Sequence, residues 1–321
     1  MAEPAQPPPA LVIGEALTDI LVGADGTGRE MPGGSPANVA LGLGRLGHPV
    51  RFATRMGRDR RGGQLRAHLR GSGVTLVPGC ADDGVTSTAT AMLDERGAAT
   101  YDFDITWKLS ARAVSAVGSG PPAHLHTGSI ATALPPGADT VLEVVDAARS
   151  RATVSYDPNL RPRLLGSPDA ERARVERLVA ACDVVKASDE DLAWLYPGQD
   201  AEKVAANWAH SGGPALVVLT MGARGARAWW RHGCHEVAPP PVEVVDTVGA
   251  GDAFTAGLVS GLLSTGLLGP AGTARPLLSE ATSGERLPAA VTGALALAAR
   301  AAAMTCAREG ADPPTRAELT V

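Results

Sequence analysis

Short apolar runs alternate with longer segments of helical periodicity along most of the chain, the pattern of a parallel sheet covered on both faces. The runs predict strands at residues 11–13, 50–54, 123–126, 153–156, 183–186 and 216–220. Between them a period near 3.6 predicts helices over 60–70, 138–149, 169–181 and 201–211. Ser35 followed by Pro36 reads as an N-cap and a first helical residue, and Val39, Leu43 and Leu46 continue one apolar face until Gly47.

Two stretches depart from that rhythm. Residues 85–93 and 99–105, joined by the turn-like Asp94-Glu95-Arg96-Gly97, alternate as an antiparallel hairpin does. It is either an edge hairpin or a lid that shares a small sheet with residues 18–23. Val85, Ala89, Ala91 and Leu93 then fall on one face, and Thr86, Thr88, Thr90 and Met92 on the other. Residues 269–285, rich in Gly, Pro, Ser and Thr, read as an exposed loop. The sequence shows neither an internal repeat nor a sharp linker, so residues 10–321 read as one domain behind a disordered, proline-rich tail at 1–9.

With 321 residues, 45% hydrophobic and 20% charged, the chain has an ordinary globular composition and enough apolar residues for a large core. A net charge of -5, and no Lys/Arg cluster among aromatics, argue against nucleic acid as a partner. Cys80, Cys182, Cys234 and Cys306 form no CxxC pair and read as reduced, mostly buried thiols. The first ten residues lack the basic-then-apolar order of a signal peptide, and no apolar run reads as long enough to span a bilayer. The expectation is a cytoplasmic protein without a membrane partner.

Chemistry concentrates in the run from Val244 to Phe254, Val-Val-Asp-Thr-Val-Gly-Ala-Gly-Asp-Ala-Phe. A strand is expected to enter a glycine-rich turn, from which Phe254, Leu258 and Leu262 open a helix. N–H groups at such a helix start have no partners within the helix, so they form a cradle for an anion. Asp252 at its mouth is placed to take a proton from an attacking hydroxyl. The alternative is an aspartate that merely complements the helix dipole, worth about 0.3–1 kcal/mol. Near the front, Gly33-Gly34-Ser35-Pro36-Ala37-Asn38-Val39-Ala40 pairs a permissive hinge with a helix start, and Asn38 there offers a two-sided amide. Asn38 could equally satisfy a loop carbonyl.

The run Asp246 to Asp252 resembles the carboxy-terminal motif of the ribokinase-like, or PfkB, sugar kinases, and Gly33 to Ala40 resembles their amino-terminal motif. Both stand in family order, and the similarity covers nearly the whole chain. The resemblance implies an α/β fold in which helices sandwich a central, mostly parallel sheet, with a small β-lid built from segments near 16–32 and 84–107. It makes Asp252 the base and gives the transferring phosphoryl group to the amides of Gly249, Ala250 and Gly251. Asp19, Gly33, Gly34 and Asn38 would hold sugar hydroxyls, the alternative for Asp19 being a solvated turn carboxylate. Arg161, in Asp157-Pro158-Asn159-Leu160-Arg161, would touch the sugar or a phosphate, or else pair with Asp157.

On the nucleotide side the resemblance places Lys186, Ser188, Asp191, Thr220, Gly222 and Gly225. Ser188 and Asp191 stand where the family commonly has Asn and Glu of an Asn-x-x-Glu motif, and Ser188 also suits an N-cap. A monovalent cation, K+ in some relatives, would sit near Asp246, Val248 and Gly310. ATP as co-substrate and Mg2+ are implied as well. The detailed motifs look most like bacterial fructokinases, which implies conversion of fructose to fructose 6-phosphate. A 2-keto-3-deoxygluconate kinase or a ribokinase is the nearest alternative, and a sugar or nucleotide sensor without turnover is the alternative of another class. Relatives dimerise through their lids, so an uncharged outer lid face implies a homodimer, unless a helix of the same chain covers it.

Overall fold

The computed structural model describes residues 8–23, 26–93, 99–118, 120 and 122–320. Its strands are β1 (Ala10–Ile13), β2 (Leu17–Val22), β3 (Gly28–Gly33), β4 (Val50–Ala53), β5 (Met56–Gly57), β6 (Val74–Leu76), β7 (Ala81–Asp82), β8 (Thr88–Leu93), β9 (Ala99–Asp104), β10 (His124–Gly128), β11 (Thr153–Asp157), β12 (Val184–Ser188), β13 (Leu216–Thr220), β14 (Ala226–Trp230) and β15 (Gly233–Val237). All six expected strands form, with small shifts at their ends. Helices Arg60–Gly71, Gly137–Ala148, Pro168–Ala181 and Ala201–His210 fill the expected intervals.

Nine strands make one sheet in the order β15-β14-β13-β12-β11-β10-β1-β4-β6. Every pairing from β6 to β13 is parallel, and the β13–β14 and β14–β15 pairings are antiparallel, so β14 alone runs against the sheet. The chain moves outward from β1 through β4 and β6, then returns at β10 and proceeds the other way. Order therefore reverses between β1 and β10, and open α/β sheets bind ligands at the carboxyl ends of strands beside such a switch.

Alternation along each strand divides the interior into two cores. Leu11, Leu125, Val154, Val185 and Val217 meet helices Gly137–Ala148, Pro168–Ala181 and Ala201–His210 on one face. Val12, Phe52, Val184 and Val218 meet helices Ser35–Arg45, Ala250–Ser264 and Ala289–Cys306 on the other. A buried polar row interrupts the second face: His124 bonds Thr153 and Ser155, and His126 bonds Ser155 at 2.9 Å. Burial drives both imidazoles down to about 3, so they stay neutral at physiological pH.

Several expectations need correction. Residues 269–285 contain helix Ala271–Ala281, which buries Ala271, Ala274 and Leu278. That spacing is helical, and the many Gly, Pro and Ser residues around it masked the period. Ser35 is the first residue of its helix and not the cap; Gly34 occupies the N-cap at φ 100°. Val244 and Val245 form no strand. They stay exposed while Val245 and Asp246 donate N–H groups to the Cys306 carbonyl, so the last long helix, and not the sheet, receives this segment. Only Cys80 and Cys182 of the four free thiols are buried, and Cys234 is exposed.

Helix Ala289–Cys306, with mean hydropathy 1.5, is long and apolar enough by length and composition to cross a membrane, contrary to the sequence reading. One side of it packs tightly on helix Ala250–Ser264. A Cβ at Gly257 would stand 2.7 Å from the Ala298 Cα, and one at Gly261 would stand 2.6 Å from the Ala294 Cα. Small residues thus let the two helices approach closely.

The lid is a separate sheet in the order β3-β2-β8-β9. β2 pairs antiparallel with β3 and parallel with β8, and β8 pairs antiparallel with β9. The hairpin reading is therefore correct, although its turn and residues 1–7 of the tail lie outside the described residues. Register puts Asp19, Met31, Ala89 and Ala91 on one face, and Ile20, Glu30, Thr90 and Met92 on the other. Val85 and Thr86 precede the strand, where buried Thr86 donates its N–H and hydroxyl to Asp59 at 2.9 and 2.6 Å. The face opposite Asp19 is not wholly bare, because Glu30 pairs there with Arg60 and Arg61 of helix Arg60–Gly71.

Candidate active site

Helix Ala250–Ser264 begins where the chain turns through Gly249 at φ 75°. That left-handed value favours glycine, and a Cβ there would also stand 2.5 Å from the Ala311 Cβ. No side chain caps this helix, so its first turn keeps donors for an anion. The expected triad of amides is reduced, because Ala250 already donates to the Thr247 carbonyl at 3.2 Å. Gly249 and Gly251 are the donors left of the three.

Asp252 sits in this first turn and is buried. Its Oδ1 accepts from the Ser35 hydroxyl at 2.7 Å, and its Oδ2 accepts from the Asn38 amide at 2.8 Å. The two sequence motifs therefore meet on one carboxyl group. Burial, with Asp157 nearby, holds the Asp252 pKa above the usual carboxylate range, against the two hydrogen bonds and the Lys186 charge. A carboxylate in this state is a stronger base than a solvated one.

Lys186, at the centre of β12, reaches Asp157 at the end of β11 with a 3.0 Å ion pair between buried side chains. Thr255, one turn into helix Ala250–Ser264, donates to the same Asp157 oxygen at 3.1 Å. The Lys186 ammonium lies so near the helix start that a Cβ at Gly251 would stand 3.2 Å from its Nζ. Burial pulls the Lys186 pKa down, but Asp157, Asp191 and Asp252 together outweigh it and keep the ammonium charged. Asp191 is also raised by burial and by Asp157. Its Oδ1 accepts from Leu160 N–H, while its Oδ2 takes the N–H and hydroxyl of Ser188. Ser188 and Asp191 thus form a capping box for helix Asp189–Leu195, so the N-cap reading of Ser188 holds.

On the other side, the backbone Cα of Gly33 packs on the Asp19 carboxyl group, leaving no room for a side chain. Burial raises the Asp19 pKa to about 6, opposed by the Arg161 charge. Asp19 lies within β2 and is partly covered, so it is not a solvated turn residue. Arg161 is anchored by Asn159 Oδ1 at 2.6 Å and faces Asp19 and Glu15 electrostatically. Asp157, the alternative partner of Arg161, is instead engaged by Lys186.

Ser188 and Thr220 are neighbours across β12 and β13, and the Thr220 hydroxyl donates to the Ala187 carbonyl. Gly222 opens a 3-10 turn that Gly225 closes at φ 81°, between β13 and β14. Asp246 accepts from Val248 N–H at 3.0 Å and from Gly310 N–H at 2.8 Å, which draws together the segments expected to surround a cation. Sequence reasoning missed Ser35 and Thr255 as site residues. Ser35 looked like a cap, and Thr255 carried no signal beyond lying one helical turn after Gly251.

The chain matches the family described as pfkB family carbohydrate kinase over residues 11–318. It is 36% identical over 266 residues to a fructokinase of Rhizobium leguminosarum bv. trifolii, covering 80% of this chain and 81% of that protein. Among solved structures, a fructokinase from Xylella fastidiosa with bound ATP superposes with a TM-score of 0.80 at 26% identity, covering 97% and 96% of the two chains. A fructokinase double mutant from Vibrio cholerae O395, bound to fructose, ADP and potassium ion, gives 0.77 at 27% identity with 99% of each chain covered. With a carboxyl group joining the two glycine-rich motifs at the switch of a ribokinase-like sheet, and with these matches along its length, the chain belongs to the pfkB family of carbohydrate kinases.

Proposed function

We propose that this protein transfers the γ-phosphoryl group of ATP to a hydroxyl of fructose, giving fructose 6-phosphate. The observation that carries the reading is the buried Asp252 carboxyl group, fixed by Ser35 and Asn38 at a helix start that no side chain caps. In this reading Asp252 takes the hydroxyl proton as the sugar oxygen attacks phosphorus. Gly249 and Gly251 amides and the Lys186 ammonium balance the charge that spreads over the equatorial oxygens. Asp19, Gly33, Gly34, Asn38 and Arg161 orient the sugar under the lid, and lid closure keeps water from competing as acceptor. Exposed Val242, Val244, Val245 and Val248 offer the apolar surface that a nucleobase requires beside the cradle.

No cluster of three or more His, Cys, Asp or Glu side chains that could hold a metal occurs among the described residues. The chemistry still fits Mg2+, which usually keeps several waters and binds with nucleotide phosphates. Asp157 Oδ1 is buried without a partner and would take one of those waters, whereas both Asp191 oxygens are already engaged. Bound there, Mg2+ would neutralise phosphate charge. A monovalent cation would have to rely on backbone carbonyls around Asp246, Val248 and Gly310, since the carboxylate oxygens hold N–H groups.

The proposal extends to a cytoplasmic homodimer in which the lids pack together through the face carrying Ile20, Thr90 and Met92. Sedimentation should show a dimer at micromolar concentration, and Thr90→Glu should dissociate it, because burying an unpaired charge is costly. A monomeric wild type would discard the dimer without touching the chemistry. For the chemistry, ADP release is measured across fructose, ribose and 2-keto-3-deoxygluconate, with and without Mg2+ and K+. Turnover of fructose above the others is expected. Turnover of another sugar would reassign the substrate, and ATP binding without turnover of any sugar would favour a sensor.

A further inference from the structure

The two ends of the lid converge on a single buried residue. Glu15 stands between β1 and the first lid strand, is 3% exposed, and accepts the Ala131 N–H with its Oε2 at 2.9 Å. Trp107 stands just beyond the last lid strand, is 4% exposed, and donates its indole N–H to the Ala131 carbonyl at 2.9 Å. One residue thus receives the entry stem on its N–H and the exit stem on its C=O.

The turn that carries Ala131 is itself fixed. Ser129, which opens it, has φ 56°, a left-handed value that a non-glycine residue keeps only where its surroundings impose it. Its N–H donates to the Asp157 carbonyl at 3.0 Å, so the turn rests on the strand that presents Asp157 to Lys186. On the opposite side, a Cβ at Gly34 would stand 2.7 Å from the Glu15 carbonyl. Ala131 is therefore seated against the chemistry end of the sheet while it holds both lid stems. Asp19 lies only four residues beyond Glu15, on the strand that this clamp positions.

We propose that Glu15 and Trp107 are positioning residues for sugar use, which act through Ala131 by fixing the lid stems relative to Asp252. Neither side chain is assigned a contact with the sugar. The role requires a hydrogen-bond acceptor at Glu15, not its charge, and an N–H donor at residue 107. The kinetic part rests on the sugar-kinase reading above, whereas the mechanical part does not.

Glu15→Ala and Trp107→Phe should each raise the sugar KM about tenfold, as loss of one buried hydrogen bond does, and leave the ATP KM within about twofold. Glu15→Gln should restore the sugar KM to within about threefold of wild type, because its carbonyl can still accept the Ala131 N–H. The double variant should be no worse than the poorer single one, since both act on one residue. Hydrogen exchange should show faster exchange of β2, β8 and β9 in Glu15→Ala and Trp107→Phe, with β11 and β12 unchanged. That measurement decides the clamp even if the wild type turns over no sugar, a result that would instead overturn the kinase reading. Unchanged lid exchange, additive effects in the double variant, a Glu15→Gln enzyme as impaired as Glu15→Ala, or a lower kcat at constant sugar KM would overturn the inference.

Discussion

The start of helix Ala250–Ser264 and the lid sheet hold carboxyl groups in opposite ways. At the helix start, Asp252 is buried and both its oxygens are occupied by side chains of another helix, while Lys186 and Asp157 neutralise one another close by. On the lid, Asp19 is only partly covered and its main electrostatic partner, Arg161, lies outside the lid in the segment that follows β11. Cross-strand pairs hold the lid together, and its ends are tied down by a few contacts at its stems. The difference fits a division of labour: chemistry needs fixed charges in a dry site, whereas substrate entry needs a part that can move without disturbing them.

If the helix start carries the chemistry, Asp252→Asn should lower kcat on the order of 10²–10⁴ while sugar and ATP KM change little. A variant with near wild-type kcat would break the comparison at its strongest point. The acid limb of the wild-type kcat profile sharpens it further. Asp252 works only when ionised, and burial has raised its pKa, so activity should fall off at higher pH than an ordinary aspartate would allow.

Asp157→Asn should cost stability before it costs affinity. It strands a buried ammonium, a change worth about 3–5 kcal/mol in comparable pairs. Urea unfolding would read the loss as a lower midpoint, and an unchanged midpoint would mean that Lys186 reaches water. On the lid, Asp19→Ala should raise the sugar KM about 10- to 100-fold, the range for losing hydrogen bonds to a charged group, with ATP KM nearly constant. An effect on ATP alone would place the sugar pocket elsewhere.

Asp19 also gives a pH test with a definite sign. Its folded pKa of about 6 lies above the unfolded value of 3.8, so the folded state holds the proton more tightly. The associated stability is fully present below the unfolded value and is lost as pH rises through about 6. The wild-type Tm should therefore fall relative to that of Asp19→Asn across this interval in the absence of sugar. The smallest effect is expected at Arg29 and Glu309, a 2.9 Å pair that joins the lid to the segment beside Gly310. Both side chains are well exposed, so Arg29→Ala should change sugar KM by less than about twofold. A larger change would show that the lid is latched at its tip as well as at its stems.

Local pattern determined much of this protein. Alternating apolar runs specified the parallel sheet, because strands buried on both faces must be apolar at successive positions. The run around Gly249 and Asp252 announced a helix start, which forms at Ala250, and Ser188 read as an N-cap, which it is. What failed was composition standing in for period. The Gly, Pro and Ser content of residues 269–285 hid a helix whose buried residues follow a 3.6-residue repeat.

Contacts between distant segments were decided only by tertiary structure. Ser35 and Asn38 lie far along the chain from Asp252, and nothing local distinguishes a capping serine from one that turns its hydroxyl to a carboxylate. Likewise Asp157 could have paired with Arg161 a few residues away. Register between β11 and β12 set Lys186 beside it instead, and burial made that partner necessary. Sequence names the groups that carry charge, but the pKa of each depends on which strands and helices exclude water around it, and that is settled only when the layers close.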